Sequence, residues 1–377
     1  MAATDRPRVV VATPGDPLDP GTWSGSAAFL VRALERAGVL AGAVDASSGA
    51  LDRIEQLASF SPQRARWRQR FHSRSSLVSP LLRTVRGRVA RRRLATEADI
   101  VLHVGAWTEL PGRVRGSYHD GNLAVSLARE EPLLDPRSRS VRRALEADRR
   151  FYERMDALLP MSDWLRRSFI DDFGQDPAKV VTVGAGANLR SVPPPLERDY
   201  ATPRFLFVGK QWERKGGPQL LEAFRLARAE RPDAELWIVG PEGAPAAEAG
   251  VRFLGRISRA TPEGDRRLGE IYSEATAFTM PSQYEPFGIV FLEAMAHGLA
   301  CVASDRCAMP EIVEDGATGY VVPARDVEAL AQRLLELADP GRAHSFGEAG
   351  RERFLEHFTW DAVAGRIVDA LVSRSAP

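Results

Sequence analysis

The stretch Gln283–Gly298, QYEPFGIVFLEAMAHG, decides how this chain is read. Pro286 and Gly288 mark a helix start, and the run Ile289, Val290, Phe291, Leu292 is too apolar for an exposed face. A largely buried helix is therefore predicted over Gly288–His297. Short apolar strands lie on either side of it, Ala277–Met280 before and Ala300–Ala303 after. Strand, buried helix, strand is the unit of a parallel sheet covered on both faces.

The same alternation runs outward in both directions. Downstream, Thr318–Val322 reads as a strand, Val327–Leu337 as a helix and Trp360–Val372 as an amphipathic end. Upstream come strand Phe205–Val208, helix Gln219–Arg228, strand Glu235–Val239 and short strand Val251–Leu254. Before them VPPPLERDYATP, Val192–Pro203, sets three prolines in a row, which neither a helix nor a central strand accommodates; it reads as an interdomain linker. The first half repeats the pattern. Strand Val9–Ala12 leads through a Pro/Gly-rich loop into helix Ala28–Ala37. Strands Ile100–Val104, Ala157–Pro160 and Val180–Val183 follow, with helices Val141–Arg154 and Trp164–Phe173. The fold class is α/β: two Rossmann-like halves in series with a cleft between them.

Composition narrows the function. The 377 residues suit two domains, and 44% hydrophobic with 27% charged residues is the profile of a globular protein. Cys301 and Cys307 form neither a disulfide framework nor a zinc-ligand spacing. No apolar run approaches a spanning helix, and an acid and a proline precede the first apolar run, unlike a signal peptide. A cytoplasmic protein is expected. The net charge of +1 hides 31 basic and 24 acidic residues through Tyr200, against 20 and 26 beyond it. Gln56–Thr96 holds 11 arginines and no acid, interleaved with Trp67, Phe71 and Leu77. Arg64–Arg93 is read either as a grip on an anionic acceptor or peripheral membrane surface, or as a solvated helical face. Arg outnumbers Lys 48 to 3, as in a GC-rich genome, and that favours the solvated face. No recognition motif supports nucleic acid as a partner.

Two constellations carry chemistry. Glu285 and Glu293 have seven residues between them, and eight residues of helix rise about 12 Å, the span of an extended sugar–diphosphate–ribose unit. The helix start offers the N–H groups of Phe287, Gly288 and Ile289 to a phosphate. One Glu would then hold a sugar hydroxyl and the other the ribose; the plainer reading is solvent-facing charges at helix ends. The second constellation is FLFVGKQWERKGG, Phe205–Gly217: a buried strand, Gly209, then Lys210 and Lys215, two of the chain's three lysines, then a helix. It follows the logic of a strand–loop–helix phosphate site without being a P-loop.

Together these segments resemble the retaining glycosyltransferases of the GT-B fold, family four of the nucleotide-sugar transferases (glycosyl transferases group 1). FVGKQWERKGGPQLLEAF looks like that family's phosphate loop, VRFLGRIS like its base-binding loop, and YEPFGIVFLEAMAHGLACVASDRCAMPEIVEDGATGYVVP like its signature segment. DPGTWSGSAAFLVRAL resembles its N-terminal glycine loop, and SYHDGN supplies a similar His-Asp pair. Lys210 stands where the family more often has Arg, and Cys307-Ala308 where it has Gly-Gly. The resemblance implies an N-terminal acceptor domain over 1–195, a nucleotide-sugar domain over 196–359, and a C-terminal helix within 360–377 returning to the first. It implies donor contacts at Gly25, Lys210, Lys215, Arg256, Ile257, Phe287, Gly288, Ile289 and Glu293. Glu285 and His119 would contact the transferred sugar, and acceptor contacts are expected at Trp107, Asp120 and Asn188. The donor would be a UDP- or GDP-sugar, used without metal or bound cofactor, for transfer to a natural product, glycan or lipid. The competing readings are a non-catalytic sugar-nucleotide-binding protein and a GT-B phosphorylase or epimerase.

Overall fold

The strand β1 (Val9–Thr13, VVVAT) is buried along its whole length, as is β3 (Ile100–Val104, IVLHV). Continuous apolar strands of this kind belong inside a sheet covered on both faces. The computed structural model describes residues 7–47, 57, 62, 80–93, 98–106, 109–129, 135–241 and 248–374. It divides into two units, one running to Gly186 and resuming at Trp360, the other spanning Ala187–Thr359.

In the first unit β1, α1 (Ser26–Arg36), β2 (Leu40–Asp45), α2 (Pro80–Arg93), β3, β4 (Val114–His119), α3 (Leu123–Leu127), α4 (Arg139–Glu153), β5 (Ala157–Pro160) and α5 (Asp163–Asp171) follow in order. The strands form a parallel sheet, β2-β1-β3-β4-β5. Helix α1 buries Ala27, Leu30, Val31 and Leu34 and keeps Arg32, Glu35 and Arg36 outward. Phe151, Tyr152, Phe169 and Phe173 pack with Leu158 and Leu165 as an aromatic core beneath α4 and α5. Strands β2 (LAGAVD) and β4 (VRGSYH) carry no apolar run and escape a reading by pattern. Neighbouring strands recruit them, and Gly116 admits Leu371: a Cβ there would lie 2.5 Å from Leu371 Cδ2. The segment Val180–Val183, expected as a strand, makes one isolated bridge, Leu158 to Val180, and otherwise only follows the edge of β5.

The second unit contains β6 (Arg204–Val208), α6 (Gly217–Glu230), β7 (Glu235–Val239), β8 (Val251–Gly255), α7 (Pro262–Glu274), β9 (Ala277–Met280), α8 (Ile289–Ala296), β10 (Ala300–Ser304), α9 (Met309–Ile312), β11 (Gly319–Val322), α10 (Val327–Leu337) and α11 (Pro340–His357). Its parallel sheet has the order β11-β10-β9-β6-β7-β8. Helices α7 and α11 were not foreseen from pattern: α7 is rich in charge, and α11 contains three glycines. One of these, Gly347, has no room for a side chain, since a Cβ would lie 2.2 Å from Gly298 O.

The division falls at Gly186/Ala187 rather than at 195/196, and Val192–Pro203 is not a free linker. Arg198 ties it to the second unit, donating to the carbonyls of Tyr272 at 3.0 Å, Ser273 at 2.7 Å, His297 at 2.6 Å and Ala275. Arg351 holds Pro193 O at 2.6 Å. A long cation closing the ends of two helices anchors the segment while its proline-rich backbone keeps no helix or strand. The last helix, α12 (Trp360–Val372), groups with the first unit. There Trp360 occupies the space over Gly186, and Asp361 pairs with Arg36 at 2.6 Å. Among the described residues no helix is long and apolar enough to cross a membrane.

Candidate active site

In the second sheet the chain runs from β6 outward to β7 and β8, then returns to β9 on the other side of β6. The β6/β9 border is thus a topological switch point, the place in open α/β sheets where ligands bind at the strand ends. Both chemical constellations sit on these loops. After β6, Gly209 N donates to Val239 O at 2.9 Å, and the Lys215 stem crosses Gly209 where a Cβ would lie 2.3 Å from Lys215 Cδ. Gly216 adopts φ +74 and has no room for a Cβ, which would lie 2.1 Å from Pro281 O. This close approach sets the loop after β6 beside the loop after β9, and Gln283 N bonds Arg214 O at 2.9 Å.

Lys215 Nζ consequently lies 2.9 Å from Glu285 Oε2, and Arg214 Nη1 lies 3.3 Å from the same oxygen while also donating to Tyr284 O. Burial raises the Glu285 carboxyl, but Lys215 and Arg214 together overcome it and hold the group below its usual range. Lys210 is exposed in the turn and has no ion pair among the described residues. Helix α8 begins at Ile289 with left-handed Gly288 as its cap, so Glu285 is a loop residue, and the rise of eight helical residues does not separate the two acids. The amides of Phe287, Gly288 and Ile289 donate to no other backbone group among the described residues.

Glu293 lies on α8, buried at 7% exposure. Its Oε2 accepts from Arg259 Nη2 at 3.1 Å and from the Tyr272 hydroxyl at 3.2 Å. Burial raises its carboxyl despite these partners. Arg256 is exposed and Ile257 half-buried in the loop after β8, which begins at left-handed Gly255. Cys307, at φ +53, is half-buried near Glu285 and Arg214. Among the described residues no group of three or more His, Cys, Asp or Glu is placed to hold a metal ion.

In the first sheet the switch point lies between β1 and β3, and the loop after β1 carries Trp23, Ser24 and Gly25, all at positive φ, into α1. His119 closes β4 at 2% exposure, its Nε2 2.5 Å from Ser117 Oγ and its ring edge-on to Tyr152 and Phe169. Burial lowers its pKa to about 3, so the ring is neutral. Asp120 is exposed beside it, and Asn188 is half-buried in the second unit. Trp107 lies outside the described residues, as does most of Arg64–Arg93. Of that segment, Arg91, Arg92 and Arg93 are exposed at the end of α2, and Arg93 bonds Asp45 O at 2.7 Å. The structure therefore brings Lys215 to Glu285 within one unit and sets Gly25 and His119 in the other. Arg214, Arg259 and Tyr272 escaped the sequence reading: an arginine beside a lysine or in a loop gives no signal among 48 arginines.

The family described as Glycosyl transferases group 1 matches residues 202–339. An alpha-maltose-1-phosphate synthase of Mycolicibacterium smegmatis is 31% identical over 309 residues, covering 72% of this chain and 79% of that protein. A phosphatidyl-myo-inositol mannosyltransferase of the same organism is 31% identical over 233 residues, 58% of each chain. Among solved structures, a sucrose-phosphate synthase from Thermosynechococcus elongatus superposes with a TM-score of 0.67 at 21% identity, over 97% of this chain and 99% of that one.

Proposed function

Because the chain belongs to the glycosyl transferases group 1 and is a glycosyltransferase of GT-B fold, we propose that its second unit binds a nucleotide-activated sugar, a UDP- or GDP-sugar, for transfer with retention. The observation that carries this reading is the convergence of Lys215, Arg214 and Glu285 at the β6/β9 switch point, beside the start of α8. Lys215 and Lys210 neutralise the donor diphosphate, Arg214 assists them, and the amides of Phe287, Gly288 and Ile289 bind its oxygens. Glu293 takes the ribose through Oε1, the oxygen that neither Arg259 nor Tyr272 uses. The Arg256–Ile257 backbone meets the base. Glu285 and His119 are assigned to the transferred sugar, and Gly25 to the donor. Acceptor contacts are assigned to Asp120, Asn188 and Trp107.

As the glycosidic bond breaks, negative charge grows on the departing diphosphate, and preorganised cations and amides stabilise it with little reorganisation. These positive groups take the part a metal would play. Retention by front-face attack, with the departing phosphate accepting the acceptor's proton, is the family expectation.

Titration calorimetry with UDP and GDP tests the reading. Lys215→Ala removes a charge-assisted contact of about 1.5–3 kcal/mol, so nucleotide affinity falls roughly ten- to a hundredfold. Glu293→Gln weakens the bare nucleotide. Glu285→Gln leaves that affinity equal or tighter, since Lys215 loses a competing partner, and depresses turnover. Equal losses of nucleotide binding for both Glu variants contradict this division of roles.

A further inference from the structure

The two oxygens of Glu293 have different surroundings. Both side-chain hydrogen bonds, from Arg259 Nη2 and the Tyr272 hydroxyl, fall on Oε2. Arg259 arrives from the loop between β8 and α7, and its second terminal nitrogen is held by Asp265 at 2.8 Å. Asp265 is itself paired with Arg190 at 3.3 Å. The Arg259 Nε is buried with no hydrogen-bond partner, so the guanidinium's polar contacts are spent on Glu293 and Asp265. Tyr272 is fixed in turn by stacking on His297, with centroids 4.9 Å apart at 17°, and His297 Nδ1 is 2.8 Å from the Glu293 carbonyl oxygen. The carboxylate is thus clamped along one edge by groups whose own positions are fixed.

We propose that Arg259 is a positioning residue of the donor site: it fixes Glu293 through Oε2 so that Oε1 is presented to the ribose hydroxyls, and it does not itself touch the donor. This rests on the reading that Glu293 receives the ribose. Three charged or titratable groups act on the Glu293 carboxyl, Arg259 from the loop and Asp265 and Tyr272 from α7, and His297, just past the end of α8, meets the Glu293 backbone carbonyl. Burial and the Asp265 charge favour the protonated acid; Arg259 and the Tyr272 hydroxyl oppose them. His297 is held neutral, chiefly by burial, with Arg259, Arg198 and Arg351 adding to the effect. Removing the guanidinium leaves a buried carboxylate uncompensated, and such a group takes up a proton instead. A carboxylic acid is the weaker acceptor for two ribose hydroxyls, so the loss of affinity grows as pH falls.

The test is the affinity for UDP and GDP between pH 8 and pH 5.5, expressed as the ratio of variant to wild-type Kd at each pH. The ratio cancels the titration of the nucleotide's own phosphate. For Arg259→Gln the ratio is expected to be a few-fold at pH 8 and to exceed tenfold at pH 6. Arg259→Lys, which keeps the charge, gives a flat ratio. Glu293→Gln also gives a flat ratio, and adding Arg259→Gln to it costs no further affinity. Arg259→Met, apolar and of similar length, repeats the measurement should the Gln variant not fold. A flat ratio for the neutral variants, an additive loss in the double variant, or failure of both neutral variants to fold overturns the proposal, since Arg259 is then a structural residue only. Wild-type affinity in Glu293→Gln overturns instead the ribose reading beneath it.

Discussion

Three buried histidines set the acid limit of this fold at the scale of single residues. Burial lowers His103 to about 4, His119 to about 3 and His297 to about 4. An unfolded histidine takes its proton near 6.5. Below that pH the unfolded chain binds more protons than the native one, so stability falls as pH falls, until the folded values are reached. Each such histidine contributes a slope of about 1.4 kcal/mol per pH unit. Glu293, raised by burial, acts in the opposite direction. The expected outcome is an unfolding midpoint that is flat above pH 7 and declines from pH 6.5 to 5. His119→Asn should make that decline shallower; a parallel decline in the variant contradicts a neutral, buried His119. The residue types His, Asp and Glu were legible as candidates in the sequence. Their pairings were not, because Lys215 meets Glu285 across 70 residues and Arg259 meets Glu293 across 34.

Among the elements, the strand–loop–helix unit from β6 to α6 is where sequence and site coincide most closely. Its apolar strand, paired glycines and lysine announce a turn with a close backbone approach, and Gly216 is that approach. Gly216→Ala places a methyl 2.1 Å from Pro281 O at φ +74. The left-handed conformation alone costs about 1–2 kcal/mol, and the clash displaces the loop bearing Glu285 as well. Gly174, at φ +64 with open space around it, is the matched control. Both alanine variants should lower stability, but only Gly216→Ala should also reduce nucleotide affinity, by tenfold or more in calorimetry. Equal affinities in the two variants would detach the loop geometry from binding. Helix α8 was legible because its apolar residues have no amphipathic face, which is itself the mark of burial. Strand β4 was not, because its place comes from β3 and β5 on either side of it rather than from its own VRGSYH.

For the whole molecule, the division into two units makes ligand protection a spatially resolved measurement. UDP or GDP at about 100 times Kd stabilises whatever binds it by roughly 2.7 kcal/mol. Hydrogen exchange should show that protection within Ala187–Thr359 for the bare nucleotide. Protection of the first unit by the nucleotide alone would place the diphosphate elsewhere. By itself the sequence determined the α/β class, the two sheets in series and the two loops of the candidate site. These are properties of local pattern: apolar runs of strand length, helix starts, and glycines where the backbone must turn. Only the tertiary structure decided where the chain divides, that Arg198 binds the proline-rich segment to the second unit, and that Arg214, Arg259 and Tyr272 surround the two glutamates. Those outcomes depend on long side chains finding carbonyls and carboxylates far away along the chain, and no local spacing records such a meeting.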